Sequence, residues 1–130
     1  MIICRISLII FLTLGTISIT KINGLAGTSP VPHVVTADIQ AGIERYIEEQ
    51  TRLGGGFFKL PFKEKELKLK LVRVHTEYLA NLGPRYHFAC VDVADVEGDL
   101  YDVDFFLAGD PGSMTVTETT VHKINGQLFY

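Results

Sequence analysis

Only one stretch of this chain repeats with the period of a helix, and everything after it alternates. Apolar side chains recur at Ile39, Ile43, Tyr46, Ile47 and Leu53, the three-and-four spacing that gathers them on one helical face. Glu44, Arg45, Glu48, Glu49 and Arg52 take the other face. Thr36 stands where an N-cap belongs, and Asp38 falls in the first turn, where the helix dipole favours a carboxylate. Gly54-Gly55-Gly56 ends the run.

The rest reads as strand. Phe57 to Phe62 is broken by Pro61 and suits only an edge. From Glu66 to Tyr78 the alternation runs through Leu67, Leu69 and Leu71, then through Val72, Val74 and Thr76. That slip of phase predicts a bulge between Leu71 and Val72. Arg85 to Ala94, Leu100 to Ala108 and Met114 to Ile124 are the next strands, with turns at Gly109–Gly112 and at Asn125-Gly126. The fold class is therefore α+β, one N-terminal helix packed on a four- to five-stranded antiparallel meander. A three-residue loop at Glu97-Gly98-Asp99 sets Asp92 against Asp104, Val93 against Val103 and Val91 against Phe105. Ala89, Val91, Val93, Val103, Phe105 and Leu107 then form the face that meets the helix. Tyr86, Phe88, Cys90 and Phe106 share the outer face with Asp92, Asp102 and Asp104.

Ahead of the helix, one charge at Arg5 precedes an uncharged apolar run from Ile6 to Ile19, and small residues follow at Gly24 and Ala26. This is the pattern of a signal peptide over residues 1–26, too short to span a bilayer comfortably. A Pro-containing lead-in covers 27–35 and a single domain covers 36–130. Such a product is expected to be secreted or periplasmic. Removing the signal takes Arg5 and Lys21 from the twelve basic side chains, leaving ten against fifteen acidic ones and a formal charge of −5. An acidic domain repels polyanions, so neither nucleic acid nor membrane is expected as a partner once the signal is gone. Cys4 leaves with the signal, so Cys90 has no cysteine to pair with.

The helix laid across an antiparallel meander resembles the cystatin-like layout and the related NTF2-like cone. The local resemblance to plant-type cystatins lies in Leu69-Lys-Leu-Val-Arg-Val74 and in Leu100-Tyr-Asp-Val-Asp-Phe-Phe-Leu107. It implies a fold, and as one function the inhibition of cysteine proteases. The inhibitory motifs are absent. Where a cystatin carries a Gln-x-Val-x-Gly hairpin, this chain has Ala80-Asn-Leu-Gly-Pro84, and it has no tryptophan for the second loop, Gly109–Ser113. Fold without site does not carry function.

Three sets of side chains are candidates for chemistry. Tyr86, Phe88 and Phe106 with Asp92, Asp102 and Asp104 give a sheet face with an apolar end and an acidic end. It suits a protein partner or self-association, because monomers seldom leave such a patch bare. Its carboxylates would repel one another unless a cation offset them, and the plainer reading is a solvated face. Tyr101, Glu118 and His122 are the second set, expected to point inward as an NTF2-like pocket. The basic run Lys59 to Arg73 reads as a protected edge, and His75 as a surface residue. The chain lacks the motifs of nucleophilic, metallic or nucleotide chemistry. A non-enzymatic binding module is expected, with no metal and no cofactor.

Overall fold

The computed structural model describes residues 33–129. The segment read as a signal peptide and residues 27–32 of the lead-in lie outside them. Helix α1 spans Thr36–Leu53, and the strands are β1 (Phe58–Phe62), β2 (Lys65–Val74), β3 (Ala80–Gly83), β4 (Tyr86–Asp95), β5 (Leu100–Ala108), β6 (Thr115–Ile124) and β7 (Gln127–Leu128). The class is α+β as expected, but the antiparallel sheet has seven strands rather than four or five. The order is β1-β2-β4-β5-β6-β7, with β3 paired to β4 beyond the end of β2. The two extra strands are short, and neither contains an apolar alternation long enough to reveal it.

Ile39, Ile43 and Ile47 are fully buried against Val91, Val93, Val103, Phe105 and Leu107 of the sheet. Each isoleucine contributes about 1.5–3 kcal/mol over an exposed position. Tyr46, Phe58 and Phe105 meet edge to face or tilted at centroid distances of 6.0–6.2 Å, a geometry that suits their quadrupoles. Leu53 does not join this face. It lies in the last turn and is 64% exposed. The cap also sits one residue earlier than expected, at Val35, whose N–H donates to the Asp38 carboxylate at 3.0 Å. Gly54 is fixed by space, since a Cβ there would collide with the Phe57 carbonyl oxygen.

The bulge predicted near Val72 is present, between Leu71 opposite Val93 and Arg73 opposite Asp92. The expected strand from Glu66 to Tyr78 stops early, at Val74, and a 3-10 turn at Thr76–Tyr78 follows. The chain then returns to the same edge of β4 as β3. Ala80-Asn81-Leu82-Gly83, expected in a loop, is therefore strand, with Asn81 opposite His87.

The β4–β5 hairpin has a three-residue loop, but at Val96-Glu97-Gly98. Asp95 N–H donates to the Asp99 carbonyl at 3.1 Å, and Gly98 takes φ +88°. The last residue of such a loop must be left-handed, and glycine adopts that conformation without a Cβ clash. Moving the loop by one residue moves the register by two. Asp92 consequently faces Asp102, and Asp104 faces Cys90. A shift of two preserves the faces, so the predicted inner set is buried as a whole.

His87 was not legible as important, and it is fully buried. Its Nδ1 lies 2.7 Å from Asn81 Oδ1 and its Nε2 lies 2.9 Å from the Gly109 carbonyl. Asn81 Nδ2 in turn donates to the Val34 carbonyl at 2.8 Å. One imidazole thus ties β3, the lead-in and the β5–β6 loop to the core. Replacing it as His87→Phe leaves a buried acceptor without its donor. Urea unfolding should show a loss of about 1–3 kcal/mol, and an unchanged midpoint would refute this role.

Candidate functional site

The outer face of the sheet carries a cavity of about 530 Å³. Its floor comes from β4 and β5: Phe88, Cys90, Asp102 and Asp104. One wall is the 75–78 excursion, which brings His75, Glu77 and Tyr78, and β6 supplies the other through His122 and Lys123. Arg73 stands at the rim, with its side chain 54% exposed.

The excursion exists because the bulge at Val72 resets the phase of β2. Val74 then points inward, and Arg73 lands on the outer face opposite Asp92. His75 N–H still donates to the Cys90 carbonyl at 2.9 Å, so the imidazole is anchored at the sheet before the chain lifts away. Its Nε2 lies 2.6 Å from Asp92 Oδ1, and its Nδ1 lies 3.2 Å from Glu77 Oε1. Arg73 donates to the same Glu77 oxygen at 2.9 Å. His75 is therefore not the free surface residue expected, since its side chain is only 12% exposed.

A second histidine–aspartate pair closes the far side. His122 Nδ1 lies 2.9 Å from Asp104 Oδ2. His122 occupies a bulge, because Val121 pairs with Val103 while Lys123 pairs with Asp102. Another bulge at Thr117 sets Glu118 opposite Phe106 on the outer face, where it is exposed. These two slips correct the inward pocket expected from Tyr101, Glu118 and His122. Tyr101 alone faces the core, and the three side chains do not converge. Its hydroxyl donates to Asp95 at 3.4 Å.

The acidic end is likewise not a solvated face. Asp104 is 8% exposed, and the Asp92 side chain is 13% exposed. Asp92 and Asp104 are hydrogen-bonded to His75 and His122, and Lys123 stands opposite Asp102. Burial, followed by the hydrogen bond and negative charge of Asp92, raises Asp102 above the ordinary 3.8, while His75 and Lys123 pull it down. Burial opposes protonation of His75, but its bonds to Asp92 and Glu77 and the charge of Asp92 outweigh that. Its pKa is raised above 6.5. Burial and the carboxylates of Asp104, Asp102 and Asp92 push the Cys90 thiol up to about 12. Cys90 is therefore a neutral thiol at pH 7, without thiolate nucleophilicity.

The predicted aromatic patch has the expected placement. Tyr86 stacks on Phe106 at 5.8 Å, and Phe88 meets Phe106 edge-on at 5.5 Å. Phe88 also lines the cavity, which gives the acidic floor an apolar margin. At the end of the sheet beyond this patch, Arg85 in the β3–β4 turn pairs with Asp110 in the β5–β6 loop at 3.1 Å. The lead-in joins this end through Val34 and Asn81.

No family, no curated protein and no solved structure matches this chain.

The raised values have a definite sign in stability. The folded state holds protons more tightly than the unfolded chain at Asp102 and at His75. Their contribution is complete below 3.8 and 6.5 respectively, and it is lost as pH rises through each folded value. Asp102→Asn removes the ionisation beside Asp92. Its Tm should match the wild type at low pH and exceed it increasingly as pH rises past 3.8. A Tm difference that does not change with pH would show that Asp92 and Asp102 do not repel.

Proposed function

We propose that this chain is an exported, non-enzymatic binding module of cystatin-like layout, and that it holds a small cationic ligand in the outer-face cavity. The observation that carries the reading is the floor itself. Asp104 and the adjacent Asp92 are withdrawn from solvent, and Asp102 is half-buried, around a cavity of about 530 Å³, a volume within the usual range of small-molecule sites. Withdrawn carboxylates favour an incoming positive charge more strongly than exposed ones do. Phe88 and Tyr78 offer an apolar body somewhere to rest. In this reading the aromatic patch is the apolar margin of the pocket. Binding is preferred to catalysis because Cys90, the thiol on the cavity floor, is held neutral.

Benzylammonium combines the two features that the cavity selects, a cation and a ring. Calorimetric titration should show saturable binding, weakened at least about tenfold by Asp104→Asn, which corresponds to about 1.4 kcal/mol. Benzyl alcohol, the neutral analogue, should not bind. Equal binding of the alcohol, or no binding of the cation, would sink the reading.

The competing reading is a cystatin-type inhibitor. It is favoured by one observation: the lead-in, the β3–β4 turn and the β5–β6 loop are joined at one end of the sheet. That end lacks the glutamine, valine and tryptophan that the resemblance would require. Papain should therefore retain full activity with micromolar protein present, and stoichiometric inhibition would reverse the order of the two readings.

A further inference from the structure

We propose that the floor of this cavity is a site for a borderline divalent transition metal such as Zn²⁺, ligated by His75, Cys90 and Asp102. The proposal rests on the cationic-ligand reading and names the class of cation.

One donor atom from each of the three side chains lies within 4.8 Å of the other two. Metal bonds of about 2.0–2.3 Å to nitrogen, oxygen and sulfur require tetrahedral donors closer together than that. Small side-chain rotations would close the gap. The donors come from neighbouring positions on the sheet: the residue after β2, the middle of β4 and the start of β5. The backbone that presents them is fixed by the ladder, including the His75 N–H bond to the Cys90 carbonyl. An imidazole, a thiol and a carboxylate together suit zinc. Calcium and magnesium take oxygen donors, and the sulfur selects against them.

The surroundings are those a ligating histidine needs. Glu77 lies 3.2 Å from Nδ1 and Arg73 2.7 Å from the same nitrogen; together they hold the ring, with Nε2 directed at Asp92 beside the floor. A carboxylate behind an imidazole is the usual outer partner of a metal-bound histidine. Cys90 is 8% exposed and stands among three aspartates on the cavity side, where a thiol gains little from packing. A metal ion gives it a reason to be there, because coordination deprotonates a thiol outright. On binding, the thiol proton leaves to solvent, and the metal takes the place of the proton on His75 Nε2. The imidazolium form releases that proton to solvent and the neutral ring moves it to Nδ1, so that the bound ring keeps one proton on Nδ1, facing Glu77. Three protein ligands leave a fourth position open to water or to an exogenous donor.

The test is Zn²⁺ titration of the reduced protein against a chromophoric chelator, with Co²⁺ absorption as the spectroscopic probe. One equivalent of Zn²⁺ should bind. Cys90→Ser and His75→Gln should each weaken it at least about 100-fold, and Glu77→Gln, which touches the histidine and Arg73 but none of the other ligands, about tenfold. Co²⁺ should show a thiolate charge-transfer band that Cys90→Ser abolishes. The oxygen-only cluster Asp95, Glu97 and Asp99 in the hairpin loop is the internal control, since metal held there would survive all three substitutions. Absence of the Co²⁺ band in the wild type, or Zn²⁺ affinity indifferent to Cys90 and His75, overturns the proposal. If benzylammonium still binds in that case, the metal site alone has failed. If benzylammonium also fails to bind, the pocket reading has failed with it.

Discussion

The β4–β5 ladder is the constraint from which the other parts take their positions. Its inner side chains, Ala89, Val91, Val93, Val103, Phe105 and Leu107, form the floor of the core on which α1 rests. Its outer side chains form the floor of the cavity. The hairpin loop sets the register, and Gly98 is the residue able to take φ +88° at the closing position without strain. Asp95 reinforces this arrangement. Its carboxylate accepts the N–H groups of Glu97 and Asp99, both at 2.9 Å. A loop set one residue later would place Asp92 against Asp104 and leave Cys90 facing Phe106.

The two faces of that ladder obey different physics. On the inner face the sheet and helix exclude water, and the aromatic triad of Tyr46, Phe58 and Phe105 fills the space between the layers. The outer face gathers carboxylates that repel one another, and the fold brings imidazole partners to them instead of exposing them. Two irregularities do this. The bulge at Val72 together with the lift of the chain after Val74 delivers His75, and the bulge at His122 delivers the second imidazole. A fully regular sheet would have carried these residues past the acidic floor. Bulges next to functional surfaces are common for this reason, since they re-aim a side chain without disturbing the core.

Polar groups are also withdrawn at the end of the sheet, but for anchoring. His87 and Asn81 satisfy the carbonyl groups of Gly109 and Val34 from within the protein. This network holds the loop and the lead-in in place, as hydrogen-bonded buried groups do when every partner is present. It is separate from the cavity, whose histidines keep aspartate partners and face a space open to a ligand.

Much of the fold was legible because it depends on local rules. The period of Ile39, Ile43 and Ile47 specified the helix, the slip between Leu71 and Val72 specified a bulge, and alternation along β4 and β5 placed their six apolar inner residues correctly while passing over His87. Parity survives an error of two residues in register, so the faces were safe even though the partners were not. The site was less legible. His75 read as a surface residue because nothing local shows that the strand will end at Val74 and hand its edge of β4 to β3. Once the slip places Val74 inward, Arg73 and His75 must fall beside Asp92, and that was the available signal. Glu118 and His122 were assigned to the wrong side because the bulges at Thr117 and His122 leave no mark in the alternation. Sequence alone determined which residues are apolar and in what period, and hence the layers. Only the tertiary structure decided which charges are withdrawn together, because that depends on register and bulges, which are settled by the whole sheet closing on its core.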